Sequence, residues 1–236
     1  MGVASKLRIC YLLKLESGGM WGAGKAVLEA NIATTICKHP KGYEIPCIPS
    51  TYIKGVLRRS AEEIITHLVR VNIVGEANIV EKVFGPLTPF EGVAKPIPVN
   101  TFFGPLYPVR DVDTAKRLAG GGEFMYLADS DSLAMPSMYV EPHVRLDDRC
   151  GRASLGALFK ELRVSPETLF YGEILYVADN EKELVDAARL LTIAVARLNY
   201  RYVGRRTAAK SQILCVEPSN AAKDEVVEYV LKVHGL

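Results

Sequence analysis

The sequence has no long apolar run and almost no net charge, and both absences exclude whole classes of protein. Its most apolar segment, Leu190 to Leu198, is far shorter than the roughly 20 residues that a membrane-spanning helix needs. Lysine and arginine together number 29, against 27 aspartates and glutamates, which leaves a net charge of +2. A membrane-spanning helix and a polybasic, histone-like protein are excluded, and any affinity for nucleic acid must come from a local basic patch.

Signals for export and for zinc binding are missing too. Lys6 and Arg8 are not followed by the apolar core of a signal peptide, so we expect a cytoplasmic protein. The five cysteines are widely spaced and contain no C-x-x-C pair, which fits neither a zinc knuckle nor a secreted disulfide framework. The chain has a single glutamine, Gln212, and such depletion is typical of thermophile proteins; in a hyperthermophile protein a disulfide can form even inside the cell.

Apolar periodicity predicts where the strands and helices lie. Alternating apolar residues predict a first strand over Lys6 to Glu16 with one buried face. Helical spacing predicts a helix from about Thr51 to Arg70, capped by Ser50 or Thr51, and a second helix from Glu181 to about Asn199. Further elements are predicted as strands at Met138–Leu146, Thr168–Ala178 and Ser211–Val216, and as a terminal helix at Ala221–Val233.

The order of these elements is strand, helix, strand, strand, helix, strand. This is the β-α-β-β-α-β pattern of ferredoxin-like and RRM-like folds in the α+β class, and we expect one domain over residues 1–236. Residues 84–137 are rich in proline and glycine and too long for a simple connection, which predicts an insertion after the first helix. Enzymes, metal chaperones and RNA-binding modules share this topology, so it predicts no function by itself.

Three segments carry a resemblance to one protein family. Residues 48–58, IPSTYIKGVLR, are similar to the "IPGSSLKGALR" segment of the RAMP superfamily, the repeat-associated proteins of CRISPR effector complexes. Residues 145–153, RLDDRCGRA, with the LFKE and TLF segments that follow, resemble the "IDR-x-TGxA … L-x-x-E-x-V-x-x-GTxF" stretch of type III backbone subunits. Residues 203–211, VGRRTAAKS, resemble the "iGGRRSRGYGrV" loop of that family, although two alanines and a lysine replace its later glycines.

The resemblance implies a single RAMP-type domain with a modified ferredoxin-like fold. A protruding thumb hairpin is expected over about residues 138–168, and the subunit is expected to stack into a filament by self-association. The implied partners are CRISPR RNA, complementary target RNA and other effector-complex subunits, with no membrane and no cofactor.

Single-stranded RNA requires cations along its backbone and aromatic or apolar groups near its bases. The family-like segments supply candidate RNA-binding cations at the first helix, in the thumb region and near the C-terminus: Lys54, Arg58, Arg145, Arg149, Arg152, Arg201, Arg205, Arg206 and Lys210. Tyr200 and Tyr202 interleave with the last group. Each residue also has a plainer interpretation: the helix cations as a solvated face, Arg205-Arg206 as a solvated turn and Tyr202 as a core residue.

The catalytic residue of active relatives has no counterpart in this sequence. Active type III backbone subunits carry an Asp in the loop before the "IPGSSLKG" segment, and the matching position here is Ala33. Alanine cannot activate a ribose 2′-hydroxyl or hold a metal-bound water. The weak substitutes are Glu29, four residues earlier, and His39, whose imidazole can accept a proton without a metal but whose plainer interpretation is a surface residue.

The sequence therefore predicts a guide-binding backbone subunit without a resident metal site. One alternative is an active endoribonuclease of the same family that cleaves guide-paired target RNA, and Mg²⁺ would enter only in that case. A further alternative is a ferredoxin-like metabolic enzyme with a small-molecule pocket under the insertion.

Overall fold

The computed structural model describes residues 5–22, 32–86, 100–121, 131–146 and 153–235. The strands are β1 Ser5–Leu15, β2 Ile32–Ala33, β3 Ile36–Lys38, β4 Glu44–Pro46, β5 Thr101–Phe103, β6 Tyr107–Val109, β7 Met138–Leu146, β8 Ala153–Val164, β9 Leu169–Ala178, β10 Tyr202–Gly204 and β11 Thr207–Glu217. The helices are α1 Ser50–Arg70, α2 Ile79–Phe84, α3 Val112–Gly120, α4 Glu181–Ala196, α5 Ser219–Ala222 and α6 Glu225–His234. These elements form an α+β structure.

The main sheet is built around β1. Its strand order is β10-β11-β1-β9-β5, β6 also pairs with β9, and every pairing is antiparallel. Ile9, Tyr11 and Leu13 join one apolar core with α1 and α4, whereas Cys10 and Leu12 join a second core with α3 and the β3–β4 hairpin. The predicted single buried face is therefore wrong, because elements of the chain cover both sides of this central strand.

The two long helices lie where the periodicity predicts them, with corrections at their ends. The first helix begins at Ser50, directly after Pro49, and no side chain caps it, so the predicted Ser or Thr cap is wrong. Pro49 takes the N-cap position, and it has no side-chain oxygen to accept a hydrogen bond. The second helix ends at Ala196 and continues as a 3₁₀ turn to Tyr200, which brings the chain to the edge of the sheet.

Met138–Leu146 is a strand with the predicted bounds, but it does not belong to the main sheet. It pairs antiparallel with β8, and β2 pairs parallel with the other edge of β8. The place beside β9 is taken by β5 and β6, which come from the predicted insertion at residues 84–137. Each of these two strands has three residues, too few to show a periodicity in the sequence.

Two disulfides join four of the five cysteines. Cys10 and Cys215 face each other across β1 and β11, with Cα atoms 5.0 Å apart. Cys37 and Cys47 close the β3–β4 hairpin, with Cα atoms 5.6 Å apart. Both separations suit a disulfide.

Within the described ranges, no helix combines the length and the apolar character that crossing a membrane would require.

Candidate nucleic-acid interface

The turn between β10 and β11 presents two arginines at the end of the main sheet. Arg205 and Arg206 both have exposed side chains, and Arg206 takes a positive φ of 54°. Ser17, which follows β1, holds the turn: its hydroxyl donates to the Arg206 carbonyl at 3.1 Å and accepts from the Ala208 N–H at 2.8 Å. The turn is therefore attached to the central strand of the sheet.

The segment before this turn points two tyrosines outward and one arginine inward. The backbone is extended at Arg201, so its two neighbours share one face and Arg201 points to the other. The Arg201 guanidinium donates to the Ser60 hydroxyl and the Glu63 carboxylate of α1, both at 2.7 Å. Tyr200 is 80% exposed and Tyr202 68% exposed, so the interpretation of Tyr202 as a core residue is wrong.

Most of the predicted cations whose side chains are described already have a carboxylate partner. The pairs are Arg58 with Glu62 at 2.7 Å, Arg201 with Glu63 at 2.7 Å, Arg205 with Glu161 at 3.0 Å and Lys210 with Glu16 at 2.9 Å. Lys54 and Arg206 form no ion pair with the part of the chain that the structure describes. A phosphate would have to compete with a carboxylate at four of these cations, and with none that the structure describes at Lys54 and Arg206.

Two of these ion pairs shift the pKa of one partner. The hydrogen bond from Arg201 holds the pKa of the Glu63 carboxyl below its ordinary value. The hydrogen bond to Glu16 raises the pKa of the Lys210 ammonium above its ordinary value. Surface ion pairs contribute little to stability, so a phosphate could replace the carboxylate as the partner of such a cation.

The base of the β7–β8 hairpin holds a more deeply buried network. Arg163 is 3% exposed, and its guanidinium lies 2.8 Å from Glu161 Oε2 and 2.7 Å from Glu141 Oε2. It also donates to the Gly18 carbonyl at 3.0 Å and to the Arg205 carbonyl at 3.2 Å. Glu161, 1% exposed, also forms an ion pair with Arg205 at 3.0 Å, so one carboxylate joins the hairpin to the β10–β11 turn. Sequence reasoning missed this role, although Glu161 lies in the LFKE segment that resembles the family.

Three side chains of this network could in principle hold a metal ion. The candidate ligand atoms of Glu141, His143 and Glu161 all lie within 4.8 Å of one another. His143 Nε2 is 3.2 Å from Glu161 Oε2 and 3.4 Å from Glu141 Oε2. However, the Arg163 guanidinium contacts the same two oxygen atoms and would be repelled by a divalent cation. The arrangement therefore fits an ion-pair network better than a metal site.

The structure also bears on the catalytic candidates. His39 is 1% exposed, with the Tyr43 and Tyr107 ring centroids 5.7 and 5.1 Å from its own, so its interpretation as a surface residue is wrong. Packing between two aromatic rings keeps it away from the surface that an RNA would reach. Ala33 is 4% exposed and lies beside β8, opposite Leu162.

The structure does not describe the side chains of several predicted site residues. Glu29, Arg149 and Arg152 lie outside the described residues, and of Arg145 only the backbone, in β7, is described. The β7–β8 hairpin does expose apolar side chains along its length: Met138, Tyr139, Val140, Val144 and Leu158 are 37–64% exposed. Such a surface suits contact with bases or with another protein.

Comparison with known proteins gives one family. The family model described as "RAMP superfamily" matches residues 38–209. Among solved structures, the chain is similar to one described as "Cryo-EM structure of the Type III-B Cmr-beta bound to cognate target RNA", with 14% identity, a TM-score of 0.52, and 88% of this chain and 60% of that chain covered. A second, "Type III-B Cmr-beta Cryo-EM structure of the Apo state", has 15% identity, a TM-score of 0.49, and 86% of this chain and 96% of that chain covered. No curated protein matches.

Proposed function

Because this chain belongs to the RAMP superfamily, we propose that it is an RNA-binding backbone subunit of a type III-like CRISPR effector complex. In this role it stacks with further copies of itself along a guide CRISPR RNA in the cytoplasm, beside other effector subunits. Complementary target RNA pairs with the guide that it holds. The shared fold with a chain of a Type III-B Cmr-beta structure supports this proposal.

The observation that carries the proposal is the surface around the β10–β11 turn. Tyr200 and Tyr202 are strongly exposed a few residues before Arg206, a cation that pairs with no carboxylate in the described ranges. A soluble domain gains nothing in stability from two exposed aromatic rings, whereas single-stranded RNA is bound by such rings together with cations. The surface therefore suits RNA better than a small metabolite.

We also propose a ferredoxin-like core for this subunit. The strand order supports it: β11 and β9 flank β1, and β5 and β6 pair with the far edge of β9. The two long helices follow the first and third strands of that core and share one apolar cluster. The β7–β8 hairpin lies outside the main sheet, as a thumb would.

The proposed subunit binds RNA without cleaving it. The alanine at position 33 has no group that could accept a proton from a ribose 2′-hydroxyl. Of the two alternative bases, His39 is buried against two tyrosine rings, and Glu29 lies outside the described residues. We therefore assign the function to guide binding and stacking, with no resident cofactor.

A mobility-shift assay tests the proposal. Labelled single-stranded RNA of repeat–spacer type is titrated with protein over a salt series, with a duplex DNA control and with RNA integrity checked in the same lanes. We expect salt-sensitive, ladder-like shifts of intact RNA. Shortened RNA would favour the endoribonuclease, and absence of a shift at low salt would contradict the proposal.

A variant of Arg206 makes the assay specific to the turn. Arg206→Ala should weaken binding and reduce the slope of log affinity against log salt by about 0.7, the value for one lost phosphate contact on a single strand. Lys232→Ala, which removes an exposed cation from α6, is the matched control and should leave the slope unchanged. Equal slopes of log affinity against log salt for Arg206→Ala and Lys232→Ala would show that the turn is not part of the RNA interface.

A further inference from the structure

The cleft beside the two exposed tyrosines has the features of a binding site. It has a volume of about 330 Å³, at the small end of the range for ligand clefts. Tyr200 and Tyr202 line it together with Glu16, Ala208 and Ala209. Two aromatic rings and two alanines therefore line the cleft beside the polar residues Glu16, Asn199 and Arg201, an arrangement that leaves room for a flat ligand.

Two half-buried residues that also line the cleft, Asn199 and Arg201, hold it in shape. Arg201, between the two tyrosines, is hydrogen-bonded to α1 and fixes the extended backbone that points both rings outward. Asn199 accepts from the Ser211 N–H at 2.8 Å and donates to the Ala196 carbonyl at 2.9 Å. The backbone under both rings is thus tied to α1 and to β11, and the cleft is preorganised rather than formed by a free loop.

Polar groups at the rim narrow the chemistry of the ligand. Glu16 offers carboxylate oxygens, which accept hydrogen bonds from ring N–H and amino groups of a base. Lys210, 2.9 Å from that carboxylate, neutralises it and places a cation at the edge, and Arg206 lies on the same hairpin. An aromatic slot with an acceptor and with cations beside it matches a nucleotide better than it matches a purely apolar side chain.

We propose that this cleft holds one unstacked base of single-stranded RNA on Tyr200 and Tyr202, with the adjacent phosphates near Lys210 and Arg206. The inference rests on the proposed function, since it names the site at which this chain contacts the bases of an RNA. Stacking on a ring is tolerant of sequence because every base has a π face. The slot therefore raises the affinity for RNA and fixes the position of the RNA along the subunit, with little preference for the base that it holds.

Alanine and phenylalanine variants test the slot. Tyr200→Ala and Tyr202→Ala should each weaken RNA binding by about 5- to 140-fold, the range for loss of one aromatic–base stack. The salt slope should stay unchanged, because no phosphate contact is removed. Tyr200→Phe and Tyr202→Phe should bind like the original protein, since the ring is kept. Weakening by phenylalanine as strong as that by alanine would overturn stacking.

A tyrosine elsewhere on the surface serves as the control. Tyr229 on α6 is 68% exposed, the same as Tyr202, and Tyr229→Ala should leave RNA affinity unchanged. Both tyrosines are solvent-exposed, so the thermal midpoint should be the same for all of these variants. A loss of affinity in Tyr229→Ala equal to that in Tyr202→Ala would overturn a specific slot.

RNAs with a single abasic position complete the test. Moving the abasic site along the RNA should reveal one position per bound subunit at which affinity falls, and the Tyr202→Ala variant should be insensitive to that change. If the tyrosine variants bind normally while Arg206→Ala weakens binding, the slot is refuted and the proposed function stands. If the original protein binds no RNA at low salt, the proposed function fails and the slot fails with it.

Discussion

The Cys10–Cys215 disulfide should stabilise this protein more than the Cys37–Cys47 disulfide does. The first joins residues separated by 205 positions and the second joins residues separated by 10. The loss of unfolded-chain entropy grows with the logarithm of the loop length, and it corresponds to about 5 kcal/mol for the long loop and about 3 kcal/mol for the short one. The pairing of the first and last strands of the core thus creates the larger covalent constraint.

Two double variants measure the difference. Cys10→Ala with Cys215→Ala removes the long-range disulfide, and Cys37→Ala with Cys47→Ala is the matched control that also removes two sulfur atoms. Guanidinium unfolding without reductant should give a free energy of unfolding lower by about 5 kcal/mol in the first variant and by about 3 kcal/mol in the second. Reductant should remove most of the difference between each variant and the original protein.

Equal losses in the two variants would refute the entropic reasoning. A thiol titration checks its premise independently, because two disulfides leave one of five cysteines free. The denatured, unreduced protein should therefore show one reactive thiol. Five reactive thiols would mean that neither disulfide forms, even though the Cα separations permit both.

Two further predictions concern charged groups. Glu161→Gln should lower the free energy of unfolding by about 3–5 kcal/mol, because it leaves the buried Arg163 without its buried carboxylate partner. Glu167→Gln, at an exposed ion pair, should lower it by less than about 1 kcal/mol, and similar losses in the two variants would contradict the burial argument. The hydrogen bond from Arg189 holds the pKa of Asp224 below its ordinary value of 3.8. The contribution of this pair to the free energy of unfolding is therefore present above pH 3.8 and lost as pH falls through the lowered pKa. In urea unfolding, Asp224→Asn should destabilise the protein at pH 7 and much less near pH 2. A destabilisation that does not change with pH would contradict this.

The sequence predicted the elements better than it predicted their partners. The periodicity placed β1, α1, β7, β9 and α4 within a few residues of their bounds. It could not show that β7 pairs with β8 outside the main sheet while β5 and β6 complete that sheet. Apolar alternation predicts that a strand has a face to bury, but it does not predict which strand pairs with it.

The candidate interface was predictable as a set of residue types and not as a surface. The resemblance identified the segment with Arg205, Arg206 and Lys210, two residues after Arg201, but it did not show which of these cations has no carboxylate partner among the described residues. Carboxylates from α1, from β8 and from the end of β1 pair with three of the four. Those acids lie far away in sequence, so no local pattern contains the pairing.

What the sequence determined by itself is the local pattern: alternating and helical spacing, and short segments similar to one family whose model matches residues 38–209. Only the tertiary structure decided that His39 is buried, that Tyr200 and Tyr202 are exposed, and that the hairpin base is tied together by Glu161. The physical reason is that burial and ion pairing depend on which distant segments come together, whereas periodicity depends on neighbours along the chain.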